Sequence, residues 1–267
     1  GNGKVPFDFN LASENFGGFF NNDLIDLDLK GELGNLSFIS PYISDLDSIS
    51  GEIDIVFLLD GSIENIVRSG SIKLKQGTAY TLLLNDPIID LDLNANMDNN
   101  IFYIQNLVGS IFHNNGKNLK PKKQNTEISG SVDFSKFFNP FYNLNLKSKN
   151  ATFKTLYLDI DGKSNLDLTI TGKDTIIIAG EIETSDVSVF YEFIKQEVGT
   201  AISEDVGAIL SYQIVIPIRG ESYFQNSQVD AKVFGELSLS QLGNQEIDFG
   251  GQIFIEDGSV FSYKDNF

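Results

Sequence analysis

The chain has 267 residues and a mass of 29.5 kDa; 41% of it is hydrophobic, enough for a folded core and against disorder. Its formal net charge of −18 and pI near 4.3 argue against binding to phosphate backbones and against adsorption by charge to anionic lipid surfaces. Cysteine is absent, which excludes disulfides, thiolate metal sites and a Cys nucleophile within these residues.

In chain order, the pattern predicts strands almost throughout. Apolar residues alternate with polar ones at Ile25, Leu27 and Leu29, then at Ile53, Ile55 and Phe57, at Ile72 and Leu74, and at Ile89, Leu91 and Leu93. Further runs follow at Ile128, Val132 and Phe134; Tyr142, Leu144 and Leu146; Leu156, Leu158 and Ile160; Leu166, Leu168 and Ile170; and Ile176, Ile178 and Ile182. The last third adds Ile214, Ile216 and Ile218, then Val229, Ala231, Val233, Leu237 and Leu239, then Phe249, Gly251, Ile253 and Ile255, with Phe261 and Tyr263 opening a final strand. A period of two gives each strand one greasy and one wet face. Short strands spaced by roughly ten to fifteen residues predict an antiparallel meander without long helices. Asp60-Gly61, Asp161-Gly162 and Asp257-Gly258 suit tight hairpin turns.

Glycines recur inside the strands, at Gly51, Gly70, Gly109, Gly130, Gly172, Gly180, Gly235 and Gly251, mostly in register with the apolar positions. They fit either a curved sheet that needs kinks or an apolar trough from which bulk is excluded. An isoleucine-x-Gly-x-apolar theme near Gly51, Gly130 and Gly235 is a weak, irregularly spaced repeat. Residues 113–126 are polar and lysine-rich and read as a mobile loop. Val187, Phe190, Tyr191, Ile194 and Val198 fall at helical spacing, with Ser185 as N-cap and Gly199 at the end, so the expectation over 186–198 is one short amphipathic helix.

Catalytic constellations are missing. His113 is the only histidine and reads as a solvated loop residue. The pairs Asp26/Asp28, Asp45/Asp47, Asp90/Asp92 and Asp159/Asp161 occupy polar positions of alternating strands and read as surface acids rather than as a glycosidase pair or calcium ligands. Asn35-Leu-Ser37 and Asn150-Ala-Thr152 match the glycosylation triplet, a pattern too short to carry weight. No nucleophile elbow, phosphate loop or dinucleotide fingerprint occurs, and the chain is read as a non-enzyme without a metal. It also contains no run approaching the ~18 apolar residues of a membrane helix. Its opening, Gly1-Asn2-Gly3-Lys4, reads as the start of a piece of a longer protein.

The C-terminal part, 212–267, resembles the TamB (translocation and assembly module) family within the AsmA-like group of bacterial envelope proteins. The residues that carry the resemblance are Tyr212 to Arg219, Val229 to Leu239 with Gly235-Glu236-Leu237, Phe249 to Gly258, and Phe261 to Phe267. The resemblance implies a periplasmic protein, held at the inner membrane by a segment outside these residues, that acts in lipid transport and outer-membrane biogenesis. Phospholipids and an outer-membrane barrel protein of the TamA type would be its partners.

The expected fold is therefore all-β: one elongated, curved antiparallel sheet over 1–267, folded lengthwise into an open apolar trough. The residues expected to line it are Ile53, Ile55, Phe57, Ile72, Leu74, Ile89, Leu91, Leu93, Leu156, Leu158, Ile160, Leu166, Leu168, Ile170, Ile214, Ile216, Val233, Leu237, Ile253 and Ile255. The expected function is to shield phospholipid acyl chains between the two membranes, with bound lipid as the only ligand and no cofactor. Two alternatives stand beside it: assembly of outer-membrane proteins by strand augmentation, and a plain structural β-domain with a closed core.

Overall fold

A computed structural model describes residues 1–4, 24–35, 46–62, 65–116, 120–136, 139–156, 159–191, 209–243, 245–246 and 248–262. Among these there is no helix. All fourteen strands join one sheet: β1 (Asn2–Lys4), β2 (Leu24–Asn35), β3 (Leu46–Ser62), β4 (Asn65–Thr81), β5 (Ile88–Asp98), β6 (Ile101–Ser110), β7 (Thr126–Asp133), β8 (Phe141–Lys154), β9 (Asp159–Gly172), β10 (Thr175–Phe190), β11 (Ile209–Gln225), β12 (Val229–Gln241), β13 (Asp248–Ile255) and β14 (Val260–Phe261). Neighbours in sequence are neighbours in the sheet from β1 to β13, and β14 turns back to pair with β12 beyond the end of β13. The sheet is open and curved. Its pairs are antiparallel except β10 and β11, which run parallel.

Directly paired residues point to the same face, so the registers show what each face carries. One row crosses twelve strands: Leu33, Ile53, Leu74, Leu93, Leu107, Ile128, Leu146, Leu168, Gly180, Ile214, Leu239 and Phe249. Beside it run Ile55, Ile72, Ala95, Ile104, Gly130, Leu144, Ile170 and Ile178. Each member is apolar or glycine. The other face is mostly polar: Glu52 pairs with Lys75 and Asp54 with Lys73, and the Gln105 amide bridges Asn94 and Asn96 at 2.6 and 3.0 Å, while Phe234 and Phe254 stack on it toward the C-terminal edge.

Around β3 to β6 the apolar face is filled by its own side chains. Ile53, Leu74, Ala79 and Leu91 are buried, with Leu46, Ile49, Ile55, Ile72, Ile88, Leu93 and Leu107 packed on them. The Leu74 methyl groups occupy the space a Cβ would take at Gly51 and Gly77, and Leu91 does the same at Gly109. At these three positions the glycines admit the protein's own leucines. At Gly70, Gly130, Gly172, Gly180, Gly235 and Gly251 the reason is the backbone of the next strand. At Gly70 and Gly235 φ is 151° and 141°, and a Cβ would overlap the carbonyl oxygen of Val56 or Gln252 on the next strand.

Curvature enters through bulges. Gln76, Asp90, Asn150 and Asp186 all have φ between 50° and 53°, and each sits at a register shift of its strand. One extra residue in the left-handed region bends the strand and moves the alternation by one.

Several expectations need correction. The helix over 186–198 is not formed at its start, because 186–190 belong to β10; residues 192–198 lie outside the described residues. The bulge at Asp186 explains the misreading: apolar positions run Ile176, Ile178 and Ile182, then slip to Val187 and Val189, and that slip imitates helical spacing. Asp161-Gly162 lies inside β9 and makes no turn; of the expected strand at 156–160, Leu156 precedes β9, residues 157–158 lie outside the described residues, and 159–160 open β9. Gly61 is still in β3, where Ser62 pairs with Asn65 across the hairpin. Asp257-Gly258 does turn, but β13 and β14 both pair with β12 rather than with each other. Many strands are long, with β3, β4 and β11 each of 17 residues.

Candidate functional site

The face that is filled at β3 to β6 opens toward the C-terminal edge. There a concave apolar cavity of about 630 Å³ is bounded by β9 to β14. Ile160, Ile216, Val233, Leu237, Ile253 and Ile255, all expected as lining residues, surround it together with Val187, Val189, Ile218, Phe224, Val229, Ala231 and Phe261. Its floor is closed, with Ala231 and Val187 buried. Its rim is not: Ile253, Ile255 and Phe261 are 48%, 52% and 61% exposed.

Two opposed bulges shape the cavity. On β10 the bulge is Asp186; on β11 it is the shift between Ile218 and Ser222, where Gly220 has φ 64°. The Asp186 carboxylate joins them, accepting from the Lys163 Nζ at 2.8 Å and from the Glu221 backbone N–H at 3.1 Å. The lysine contact, then the backbone donor, holds its carboxyl below the usual 3.8. The Ser222 hydroxyl accepts from the Val187 N–H at 3.2 Å and donates to the Arg219 carbonyl at 2.8 Å. Phe224 and Val189, carried past these bulges, reach the cavity wall. Asp186, Gly220 and Ser222 were not singled out from the sequence; the phase slip at Asp186 was the available signal.

The other expected lining residues are distributed as follows. Ile53, Leu74 and Leu91 lie in the packed core, with Ile55, Ile72 and Leu93 against it. Leu168 and Ile214 share the long apolar row, Ile170 the one beside it, and Phe57 follows Ile55 on the same face of β3. Leu166, paired with Ser148, also faces that side. Two depart from the expectation, and one is untested. Ile89 points to the opposite face, because the bulge at Asp90 puts Ile88 in line with Leu91 over Gly109. Leu156 sits in the β8–β9 connection, 43% exposed. Leu158 lies outside the described residues.

At one end of the sheet three connections meet. Leu84 bridges to Thr155, the Asn85 N–H donates to the Lys154 carbonyl at 2.8 Å, and the Leu156 N–H donates to the Leu83 carbonyl at 3.0 Å. His113 joins them: its ring Nδ1 lies 2.5 Å from an Asp86 carboxylate oxygen and its N–H donates to Thr152 Oγ1 at 3.0 Å. The reading of His113 as a solvated loop residue is therefore wrong. Its side chain is 15% exposed and ties the 82–87 and 111–116 segments to β8. Thr152, of the second glycosylation triplet, is buried in this junction, while Asn150 is the bulge residue of β8.

Among the described residues no group of three or more His, Asp or Glu is arranged to hold a metal ion. Asp90 and Asp92 instead serve the bulges: Asp92 accepts from the Gln76 N–H at 3.1 Å and Asp90 pairs with Lys120 at 3.0 Å. No helix of the described residues is long and apolar enough to cross a membrane. Of the four stretches that carry the TamB resemblance, three lie in β11, β12 and β13; of the fourth, Phe261 lies in β14, which pairs with β12, and 263–267 lie outside the described residues. No family model, curated protein or solved structure matches the chain.

Proposed function

We propose that the protein shields lipid acyl chains against the apolar face of its sheet, carrying phospholipid across the periplasm between inner and outer membrane. The supporting observation is the apolar cavity at β9 to β14, floored by buried aliphatic side chains and open along a rim of half-exposed ones. Burial is worth about 0.8 kcal/mol per methylene, so a sixteen-carbon chain left in water costs on the order of 10 kcal/mol. A carrier must cover that chain throughout the crossing, and a sheet face with an open side can do so while the head group stays in water. Apolar rows continue from the cavity toward β2 up to the packed side chains of β3 to β6, and the resemblance of 212–267 to TamB supports a periplasmic setting.

The test is binding of a fluorescent phospholipid to purified protein, with native mass spectrometry for lipid retained from the cells. Ile216→Asp places a carboxylate in the cavity wall, whereas Val215→Asp places it on the opposite, exposed face of the same strand. The first variant should lose lipid and the second keep it. Equal binding by both, or no lipid bound by the folded parent protein, refutes the reading. Leu91 is unsuitable for this purpose, since a carboxylate there would enter the packed core.

A further inference from the structure

The polar face of the sheet has one region unlike the rest. In a chain with 37 acidic and 19 basic residues, the wet side of a sheet is where charge collects. Across β5 to β9 it is missing. One row on that face runs Asn94, Gln105, Ser129, Asn145 and Thr169, and the next runs Asn96, Tyr103, Ser131, Asn143 and Thr171. Every one of these side chains is an amide or a hydroxyl. Charge returns at the borders, with Lys73 opposite Asn94, Asp133 opposite Phe141, and Glu127, Lys147 and Asp167 in the row beyond Ser129. These strands have neighbours on both sides, so the surface owes nothing to either edge of the sheet.

Most of its hydrogen-bonding capacity is unspent. Gln105 bonds to Asn94 and Asn96, and the Thr169 hydroxyl donates to the Ala179 carbonyl at 3.3 Å. Ser129, Ser131, Asn143, Asn145 and Thr171 have no side-chain partner among the described residues. Two aromatic rings stand on the same face, Tyr103 at 41% and Phe141 at 45% exposure. Beyond Lys147 and Asp167 the face deepens into a polar cleft of about 940 Å³ across β8 to β11, where the Asn165 amide donates to Glu183 at 2.7 Å.

We propose that the polar face at β5 to β9 binds an extended, uncharged polysaccharide, laid across the strands with its hydroxyls on the amide and hydroxyl rows. Adjacent strands are about 4.8 Å apart, close to the length of one pyranose unit in an extended chain, so each sugar meets a fresh strand. A side-chain amide both donates and accepts, as a pair of sugar hydroxyls does. Tyr103 and Phe141 offer the C–H faces of the sugars an apolar rest. Ionic partners are not served: the rows hold no cation for a phosphate or a uronate, and no carboxylate for a basic peptide. A protein partner needs an apolar centre to its interface, and here the centre is asparagine, serine and threonine. The inference stands apart from lipid carriage, because these side chains lie on the opposite face of the sheet from the cavity.

The probe is cellohexaose, an extended neutral glucan, titrated into the whole isotope-labelled chain. The side-chain amide signals of Asn94, Asn143 and Asn145 should shift, while that of Asn226, far along the sheet in the β11–β12 turn, should not. Maltohexaose has the same composition in a helical chain, and hexagalacturonate is extended but anionic; each should bind about tenfold more weakly. Asn143→Ala combined with Asn145→Ala removes two exposed amides without touching the apolar face, and should lower the affinity for cellohexaose about tenfold. Lys75→Ala, on the same face but outside the rows, should leave it unchanged. Ile216→Asp, the variant that tests lipid binding, should also leave it unchanged, so either reading can fail without the other. Unmoved Asn143 and Asn145 amides, unchanged affinity in the double variant, or equal binding of the three hexasaccharides would overturn the inference.

Discussion

Replacing Leu74 by alanine asks most directly whether the apolar face is filled at one end and open at the other. Leu74 is 1% exposed, and its methyl groups lie where side chains would be at Gly51 and Gly77. The substitution deletes about three methylene equivalents, worth about 2.4 kcal/mol in transfer alone. A cavity term adds to this, because the two glycines have no side chains that could collapse into the void. The total expected loss is about 3–5 kcal/mol. Ile253→Ala, made at a residue 48% exposed on the same face, removes groups that water already reaches and should cost less than about 1 kcal/mol. Urea unfolding followed by circular dichroism measures both. Similar losses for the two variants would mean that the face is uniformly packed or uniformly open, and the division drawn between β3–β6 and β9–β14 would be wrong.

The remaining expectations concern the devices that bend and tie the sheet. Gly235→Ala forces a Cβ into the Gln252 carbonyl at φ 141° and should destabilise by about 1–3 kcal/mol, whereas Gly31→Ala, with open space around it, should be nearly neutral in the same unfolding assay. Asp186 has its folded-state pKa lowered by Lys163 and the Glu221 N–H, so its contribution is complete above the ordinary 3.8 and disappears as pH falls through the lowered value. Asp186→Asn should accordingly flatten the acid limb of the stability–pH curve, and a limb as steep as in the parent would show that the carboxylate does not matter. His113→Ala cuts the link to Asp86 and should speed hydrogen exchange at the Asn85 and Leu156 amides while leaving those of β11 and β12 unaffected.

Much of the architecture was legible because a half-buried strand must alternate. Ile53, Ile55, Leu168, Ile170, Ile214 and Ile216 all fall on the apolar face for that reason. Alternation is a local rule, however, and a bulge resets it. Each failure sits at or beside such a reset or a turn: Ile89 next to Asp90, the supposed helix at Asp186, and Leu156 in a connection. The glycines were seen to matter, but their two purposes cannot be separated in one dimension. Gly51 makes room for Leu74, whereas Gly235 accommodates a neighbouring carbonyl. Nor can a list of residues tell a packed face from an open one. Ile53 and Ile253 read alike, and only the curvature around them makes one a core residue and the other a rim.

The single parallel step between β10 and β11 has a kinetic consequence. The other strands from β2 to β13 zip antiparallel onto their predecessors through shorter connections, the shortest joining Ser62 to Asn65 and Asp98 to Ile101, but the first pair across this step joins Thr175 to Ile209, 34 residues apart. Closing that longer loop costs about 2 kcal/mol more than the hairpin before any bond compensates it. Assembly should therefore pause at this seam, with the strands on either side formed as separate cooperative blocks. The block beyond the seam, β11 to β14, carries twelve of the sixteen residues that line the cavity.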